Sequence, residues 1–334
     1  MPKYWMISDR VVDNGAPTGA QGPLQYYVSD QDTLDVFANW KAVSQDDFKT
    51  LLIGAADQFP ALEQAANENQ SHVTFLIHGY NNGWADAARL YKKTCDSLYS
   101  GPNSLGLCIS FDWPSLGSVL GYLPDRAHAQ DCADDLATVL SELYDWLMVK
   151  QQDAAADVAM ACKAKVSVIS HSMGNYVVQK AMATVWTRKN QPLLVSLINQ
   201  LVMVAADVDN DLFESNSDDG SDGNAVANFS YRITALYSGR DAVLGASAGL
   251  KHFGTRRLGR SGLAVRPPTD KDNIWDVDCS SFFKDEVGGL QIHGAYFDTP
   301  AVMNLIGNVL RGIDRSVLDS TGLTQSNAWS ASKQ

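Results

Sequence analysis

Val166-Ser167-Val168-Ile169-Ser170-His171-Ser172-Met173-Gly174-Asn175 changes character in its middle. A β-branched run ends at Ser170. From Met173 onward, Val177, Val178, Ala181 and Val185 recur at helical spacing. A serine stands between the two patterns, with a glycine two residues later. The period passes from 2 to 3.6 across that serine, so the segment reads as strand, tight turn and helix with Ser172 at the apex. In a nucleophile elbow of this kind the hydroxyl projects beyond the sheet. The following helix then points unpaired N–H groups at any oxyanion formed there. The usual elbow is G-x-S-x-G, and Ser170 holds its first position here. The same residues also fit a plain strand-to-helix turn with a serine N-cap. The choice between them depends on what surrounds the stretch.

Working outward, other strand-length apolar runs end in polar residues. Val73 to Ile77 is followed by His78-Gly79-Tyr80-Asn81-Asn82, and Cys108 to Phe111 by Asp112-Trp113-Pro114-Ser115. Leu201 to Ala205 leads into Asp207, and Arg232 to Tyr237 into Ser238-Gly239-Arg240-Asp241. Ile274 to Val277 is the last such run, and His293-Gly294 follows it in a loop. Continuous apolar runs suit parallel strands buried on both faces. Between them lie amphipathic helices: Trp84, Ala87, Ala88 and Tyr91 mark one, Leu136 to Leu147 another, Val302 to Leu310 the last. Ser44-Gln45-Asp46-Asp47 reads as a helix start, with Phe48, Leu51 and Leu52 as its apolar stripe. Near the N-terminus, Tyr4 to Ser8 and Leu24 to Val28 read as short strands joined by a turn-rich segment. Ala65 to Gln70 and the acidic, glycine-rich stretch from Glu214 to Gly223 read as loops, the latter mobile, and Thr321 to Gln334 as a fraying tail. Strand alternating with helix implies a mostly parallel sheet covered on both faces, an α/β fold. Neither a linker nor an internal repeat divides it. We expect one domain over 1–334: strands and a helix extending the sheet in 1–70, a core in 71–313 and a tail in 314–334.

Bulk properties narrow the function classes. A chain of 334 residues that is 45% hydrophobic has ample material for a large core. Its net charge of −12 repels phosphate backbones, so nucleic acid is not an expected partner. Five scattered cysteines without a C-x-x-C pattern suggest reduced thiols and no zinc framework. The first ten residues carry no signal-peptide core, and no run of 18 apolar residues is present, so a cytoplasmic location is expected. Leaderless export is left open.

Ligands of an open α/β sheet bind beyond the carboxyl ends of its strands. The polar residues at those ends are His78, Ser172, Asp207, Asp241 and His293. The last four run Ser, Asp, His, which is the chain order of the triad on α/β-hydrolase folds. A serine hydroxyl is a poor nucleophile until a base takes its proton. Histidine titrates near neutrality, and a carboxylate fixes its tautomer and stabilises its cation. His293 follows the last strand, where the base is needed. His171 adjoins the serine, but the elbow turns its side chain away. His72, His128 and His252 lie outside the strand-end set. Asp207 and Asp241 compete as the acid; strand order favours Asp241, and Asp207 is the alternative. The run Asp207-Val208-Asp209-Asn210-Asp211 lacks the glycine and distal glutamate of an EF-hand, so no metal is expected. An oxyanion hole would use the amides of Met173 and Tyr80, with Gly79 allowing close approach. His78 would order that loop and, with Trp113 and Tyr122, could line a pocket. The excursion over residues 112–130 caps the site or simply packs over the sheet edge.

These blocks resemble a bacterial family of α/β-hydrolase-fold proteins, mostly uncharacterised and esterase/lipase-like. The matching segments are F-L-I-H-G-Y-N-N at 75–82, W-P-S at 113–115, S-H-S-M-G-N at 170–175, A-A-D-V-D-N-D-L-F at 205–213, L-Y-S-G-R-D-A at 236–242, R-L-G at 257–259 and the His293-Gly294 region. The resemblance implies Ser172 as nucleophile, Asp241 as acid and His293 as base. The family often has alanine at the position of Ser170, and its histidine is usually one residue nearer the following aromatic than His293 is to Tyr296. The expected protein is a serine hydrolase, a carboxylesterase acting on small short-chain acyl esters through an acyl-enzyme, with no cofactor. A lipase or phospholipase effector and a catalytically silent binding module of the same fold are the alternatives.

Overall fold

A computed structural model of the chain describes residues 1–60, 70–115, 122–157, 162–188, 196–251, 254–266, 268 and 271–322. The chain opens with β1 (Tyr4–Asp13) and β2 (Ala16–Ser29), a hairpin turning at Asn14-Gly15. Both turn residues have positive φ, as a two-residue hairpin turn with the right twist requires. The strands are longer than the sequence reading expects. Pro17 and the small residues around it lie in β2, where its N-terminal part has β1 as its one strand neighbour and a missing N–H is tolerated. A short β3 (Lys41–Val43) and α1 (Gln45–Ala56) follow, with the Ser44 side chain capping α1 at the Asp47 amide.

Next come β4 (His72–Ile77), α2 (Trp84–Leu98), β5 (Gly106–Asp112), α3 (Tyr122–Ala156), β6 (Lys165–His171), α4 (Gly174–Arg188) and β7 (Ile198–Val204). The rest is α5 (Gly220–Phe229), β8 (Ser230–Tyr237), α6 (Ala242–Ala246), α7 (Leu258–Ser261), β9 (Ile274–Asp278), α8 (Gly289–Ala295), α9 (Pro300–Leu310) and α10 (Arg315–Ser320). The nine strands form one sheet in the order β3-β2-β1-β5-β4-β6-β7-β8-β9. From β1 through β9 neighbouring strands are parallel, and β2 and β3 are antiparallel additions at one edge. This is an α/β-hydrolase fold, with helices on both faces.

The sheet has a core on each side. Trp5, Ile7, Phe75, Phe111 and Val168 face one, packed with α3, α4 and α5. Tyr4, Met6, Leu76, Ile169 and Val204 face the other, packed with α2 and α9. The alternation within β1, β4 and β6 follows from the strand period of two. On α9, Val302, Leu305, Ile306, Val309 and Leu310 are all buried, each contributing about 1.5–3 kcal/mol relative to exposure. All five cysteines are free thiols.

Two expectations fail here. Residues 214–223 are not loop throughout: 214–219 are turns, and 220–223 begin α5, whose Ala225, Val226 and Phe229 are buried. Lys180 on α4 binds Asp219 and Asp222 at 3.1 and 2.6 Å, which explains the acidic residues that gave the stretch its loop-like composition. His293 is not in a loop either, but in the last turn of α8. Ile292 and Tyr296 recur at helical spacing there and are fully buried. Of the expected loop at 65–70 and the tail at 321–334, residues 65–69 and 323–334 lie outside the described residues, as does His252. So do residues 116–121 of the excursion. Tyr122 begins α3, and its side chain is outside the description.

Candidate active site

The turn between β6 and α4 is strained at one residue. Ser172 has φ of +53°, a left-handed conformation that non-glycine residues seldom adopt and that surrounding structure must enforce. The enforcement is visible. The Ser172 amide donates to Val204 O at 3.0 Å, and its carbonyl accepts from the amides of Asn175 and Asp207, both at 3.1 Å. A Cβ on Gly174 would lie 2.4 Å from His78 O and 2.8 Å from Ile77 O, so the first turn of α4 can lie against the end of β4 only with glycine there.

Ser170, where an elbow normally has glycine, contributes a brace. Its hydroxyl donates to Asn175 Oδ1 at 2.6 Å, and Asn175 Nδ2 donates back to the carbonyls of Ser170 and Ser172 at 3.1 Å each. Both side chains are fully buried. Sequence reasoning did not single out Asn175. The signal available was an amide at the foot of the helix, five residues after the serine that departs from the motif.

Ser172 meets two other strand-end residues. Its Oγ is 2.7 Å from His293 Nε2, and His293 Nδ1 is 2.8 Å from Asp241 Oδ2. Asp241 is fully buried as the N-cap of α6, where its other oxygen accepts from the Leu244 amide at 3.0 Å. One carboxylate oxygen is thus fixed by the helix and the other faces the imidazole. An ionised carboxylate only accepts, so the histidine proton sits on Nδ1 and the Nε2 lone pair faces the serine hydroxyl. His171 points away from that hydroxyl and supports α8 instead, its Nε2–H donating to His293 O at 2.8 Å. Burial, reinforced by the nearby His293, pushes the His171 pKa down to about 3, so it stays neutral.

The structure gives Asp207 a different partner. Its carboxylate accepts from Arg257 Nε at 2.9 Å and Ser247 Oγ at 3.0 Å. Arg257, fully buried, also donates to Asp207 O and to the Asp209 carboxylate. Among the described residues no group of three or more histidine, cysteine or acidic side chains is arranged to hold a metal.

The loop after β4 lies against the serine. A Cβ on Gly79 would come within 2.7 Å of Ser172 Cβ. His78 Nδ1–H and Asn82 Nδ2 donate to Gly79 O at 2.8 and 3.0 Å, while Trp113 Nε1 donates to His78 O at 2.9 Å. His78 and Trp113 stack with centroids 5.4 Å apart and planes 4° from parallel. Both are buried beneath the loop, where they shape it from below. Met173 is fully buried beside the serine and Tyr80 half-buried over the core. The arrangement brings a serine hydroxyl, an imidazole and a buried carboxylate into one hydrogen-bonded line, with the 78–82 loop against the serine.

A family model described as an alpha/beta hydrolase of unknown function (DUF900) matches residues 58–309. Among curated proteins, the uncharacterized protein alr1448 of Nostoc sp. is 23% identical, over 73% of this chain and 74% of that one. Among solved structures, Aspergillus fumigatus lipase B aligns with 84% of this chain at 12% identity and a TM-score of 0.41. This chain spans 61% of the lipase. The hyperthermophilic esterase of the archaeon Pyrobaculum calidifontis aligns at 11% identity and a TM-score of 0.35, covering 80% of this chain and 92% of that one.

Proposed function

The chain belongs to the family of α/β hydrolases of unknown function, and on that footing we propose that it is a serine hydrolase cleaving carboxylic esters through an acyl-enzyme on Ser172. The observation that carries the reading is the hydrogen-bonded line from Ser172 Oγ to His293 Nε2 at 2.7 Å and from His293 Nδ1 to Asp241 at 2.8 Å.

In this reading the Ser172 oxygen attacks the ester carbonyl carbon while His293 Nε2 takes its proton. The resulting imidazolium is stabilised by Asp241, which keeps its negative charge throughout. The carbonyl oxygen becomes an oxyanion facing the Met173 and Tyr80 amides, each such donor typically supplying about 2.7–4 kcal/mol. Collapse of the tetrahedral intermediate breaks the ester C–O bond, and His293 returns the proton to the departing alcohol. Water then repeats the sequence on the acyl-enzyme and frees the acid. The side chains of this chain supply every proton transfer.

Short-chain, water-soluble esters are the substrates we favour. A net charge of −12 opposes anionic membranes, and no helix among the described residues is long and apolar enough to cross a membrane. The test is a fluorophosphonate probe with mass-spectrometric mapping, run beside p-nitrophenyl acetate hydrolysis. Labelling at Ser172 together with turnover is the expected result. A folded protein with neither would be a silent binding module.

A further inference from the structure

The N-terminal hairpin lies outside residues 58–309, yet it sends one side chain to the loop beside Ser172. Arg10 is only 2% exposed. Register shifts in β1 flank it on both sides, between Ser8 and Arg10 and between Arg10 and Val12. Irregularities of this kind re-aim a side chain. Its Nε donates to Asp112 Oδ2 at 2.8 Å. Nη2 donates to Trp113 O at 2.8 Å and to Asn82 O at 3.0 Å, and Nη1 donates to Thr18 O at 3.2 Å. Asp112, fully buried at the end of β5, also accepts from Ser8 Oγ at 2.9 Å and has His78 Nε2 3.1 Å from its Oδ1. Burial raises the Asp112 pKa, but Arg10 and His78 outweigh it and hold the carboxyl below its usual range.

The loop over residues 78–82 is therefore gripped at both ends. At its start His78 contacts Asp112 and Trp113. At its finish Asn82 O accepts from Arg10 and from Ser115 Oγ, the latter at 2.9 Å, while the Asn82 amide donates to Ser115 Oγ at 3.0 Å. Gly79 and Tyr80 lie between the two grips. We propose that Arg10 is a positioning residue that sets the 78–82 loop, and with it the Tyr80 amide, against Ser172. This rests on the serine-hydrolase reading above.

Stability alone does not account for the arrangement. A buried ion pair must overcome the desolvation of both charges, and apolar residues of the same volume often serve a fold as well. What an apolar pair cannot do is bind backbone carbonyls of two loops and a carboxylate at once. The planar guanidinium has its donors spread at fixed angles for that task, and lysine carries a single point of charge. The hairpin thus acts as a fixed support from which the loop is measured.

The experiment compares the full chain with Arg10→Lys, which keeps the charge, and with the double variant Arg10→Met/Asp112→Asn, which removes both charges together. Near-UV circular dichroism checks folding. The readouts are kcat, KM and the inhibition constant of an arylboronic acid that forms a tetrahedral adduct with the serine. We expect kcat to fall about 100-fold in each variant, the lower end for loss of an oxyanion donor and the cost of a misplacement of about 1 Å. KM should stay within about threefold and boronate affinity should fall in step with kcat, a split that mere loosening of the fold would not give. A folded variant with kcat within about twofold of the parent would overturn the inference and leave the hydrolase reading standing. Failure of both variants to fold would also overturn it, because the guanidinium would then serve the fold and not the loop. A parent that neither turns over esters nor labels at Ser172 would overturn both readings.

Discussion

Adding one methyl group at Gly79 tests the contact between loop and serine directly. A Cβ built there lies 2.7 Å from Ser172 Cβ, 3.0 Å from His171 Nδ1 and 3.1 Å from His171 O. Carbon pairs rest at about 3.5–4.0 Å, so loop and serine must part by about 1 Å. The serine side cannot give way easily. Ser172 is held by the Val204, Asn175 and Asp207 backbone bonds, and His171 is tied to α8. The 78–82 loop must therefore withdraw, taking the Tyr80 amide with it. Losing one oxyanion donor costs about 10²–10³ in kcat, and Gly79→Ala should fall near the lower end because the amide is displaced and not deleted. Gly79 does not have positive φ, so alanine adds no backbone strain of its own. The assay is p-nitrophenyl acetate turnover, corrected for active fraction by fluorophosphonate titration, with a thermal melt in parallel. Gly54→Ala is the control: nothing lies within 4 Å of its Cβ, so it should stabilise α1 by about 0.5–1 kcal/mol without touching kcat. A folded Gly79→Ala enzyme with kcat within about threefold of the parent would refute the idea that this loop supplies an oxyanion donor.

Ser172→Ala should abolish ester hydrolysis while leaving the melting profile close to the parent, and unchanged turnover at matched purity would remove Ser172 from the reaction. Asp241→Asn should lower kcat by up to about 10⁴, since the asparagine holds the wrong imidazole tautomer. Asp207→Asn should cost stability more than turnover, since Asp207 pairs with the buried Arg257; the reverse order would make Asp207 the acid. Burial, only partly offset by the neighbouring Cys132 thiol, pushes the pKa of buried Asp9 up to about 8. Folding therefore takes up a proton between the unfolded value of about 3.9 and the folded one, and this stability is lost as the pH rises toward 8. Asp9→Asn should gain roughly 5 kcal/mol at pH 8.5 in urea denaturation and almost nothing near pH 4, and an equal gain at both would contradict a buried neutral acid. Initial rates with a sparingly soluble ester should saturate below its solubility limit, whereas a sharp rise only once droplets form would identify a lipase.

The parallel core was legible because its strands are buried on both faces and so read as unbroken apolar runs. Strand order then pointed to Ser172 after β6 and to Asp241 after β8, with Asp207 after β7 as the alternative. What the sequence hid was of two kinds. Glycines misled at 220–223, because a glycine that begins a packed helix looks the same in sequence as one in a loop. Long-range polar contacts leave no periodic mark. Arg10 and Asp112 are about a hundred positions apart, and Arg257 and Asp207 are fifty apart. Within short range, the Ser170–Asn175 brace appeared only as a departure from a motif. The N-terminal segment read as an extension of the sheet, and β3, β2 and β1 lie in that order at one edge, beside β5.

That position of β1 has a consequence for the chain as it is being made. The β1–β2 hairpin can close within about 1–10 μs of leaving the ribosome. Its parallel partner β5 is far downstream, Asp112 following Ser8 by 104 residues. At about 5–20 residues per second, the nascent hairpin waits roughly 5–20 s with that edge unpaired. An apolar edge open for that long invites other chains to pair with it. During the wait Arg10 has no Asp112 to meet, and its charge stands on the same open strand. A charged side chain there discourages intermolecular pairing.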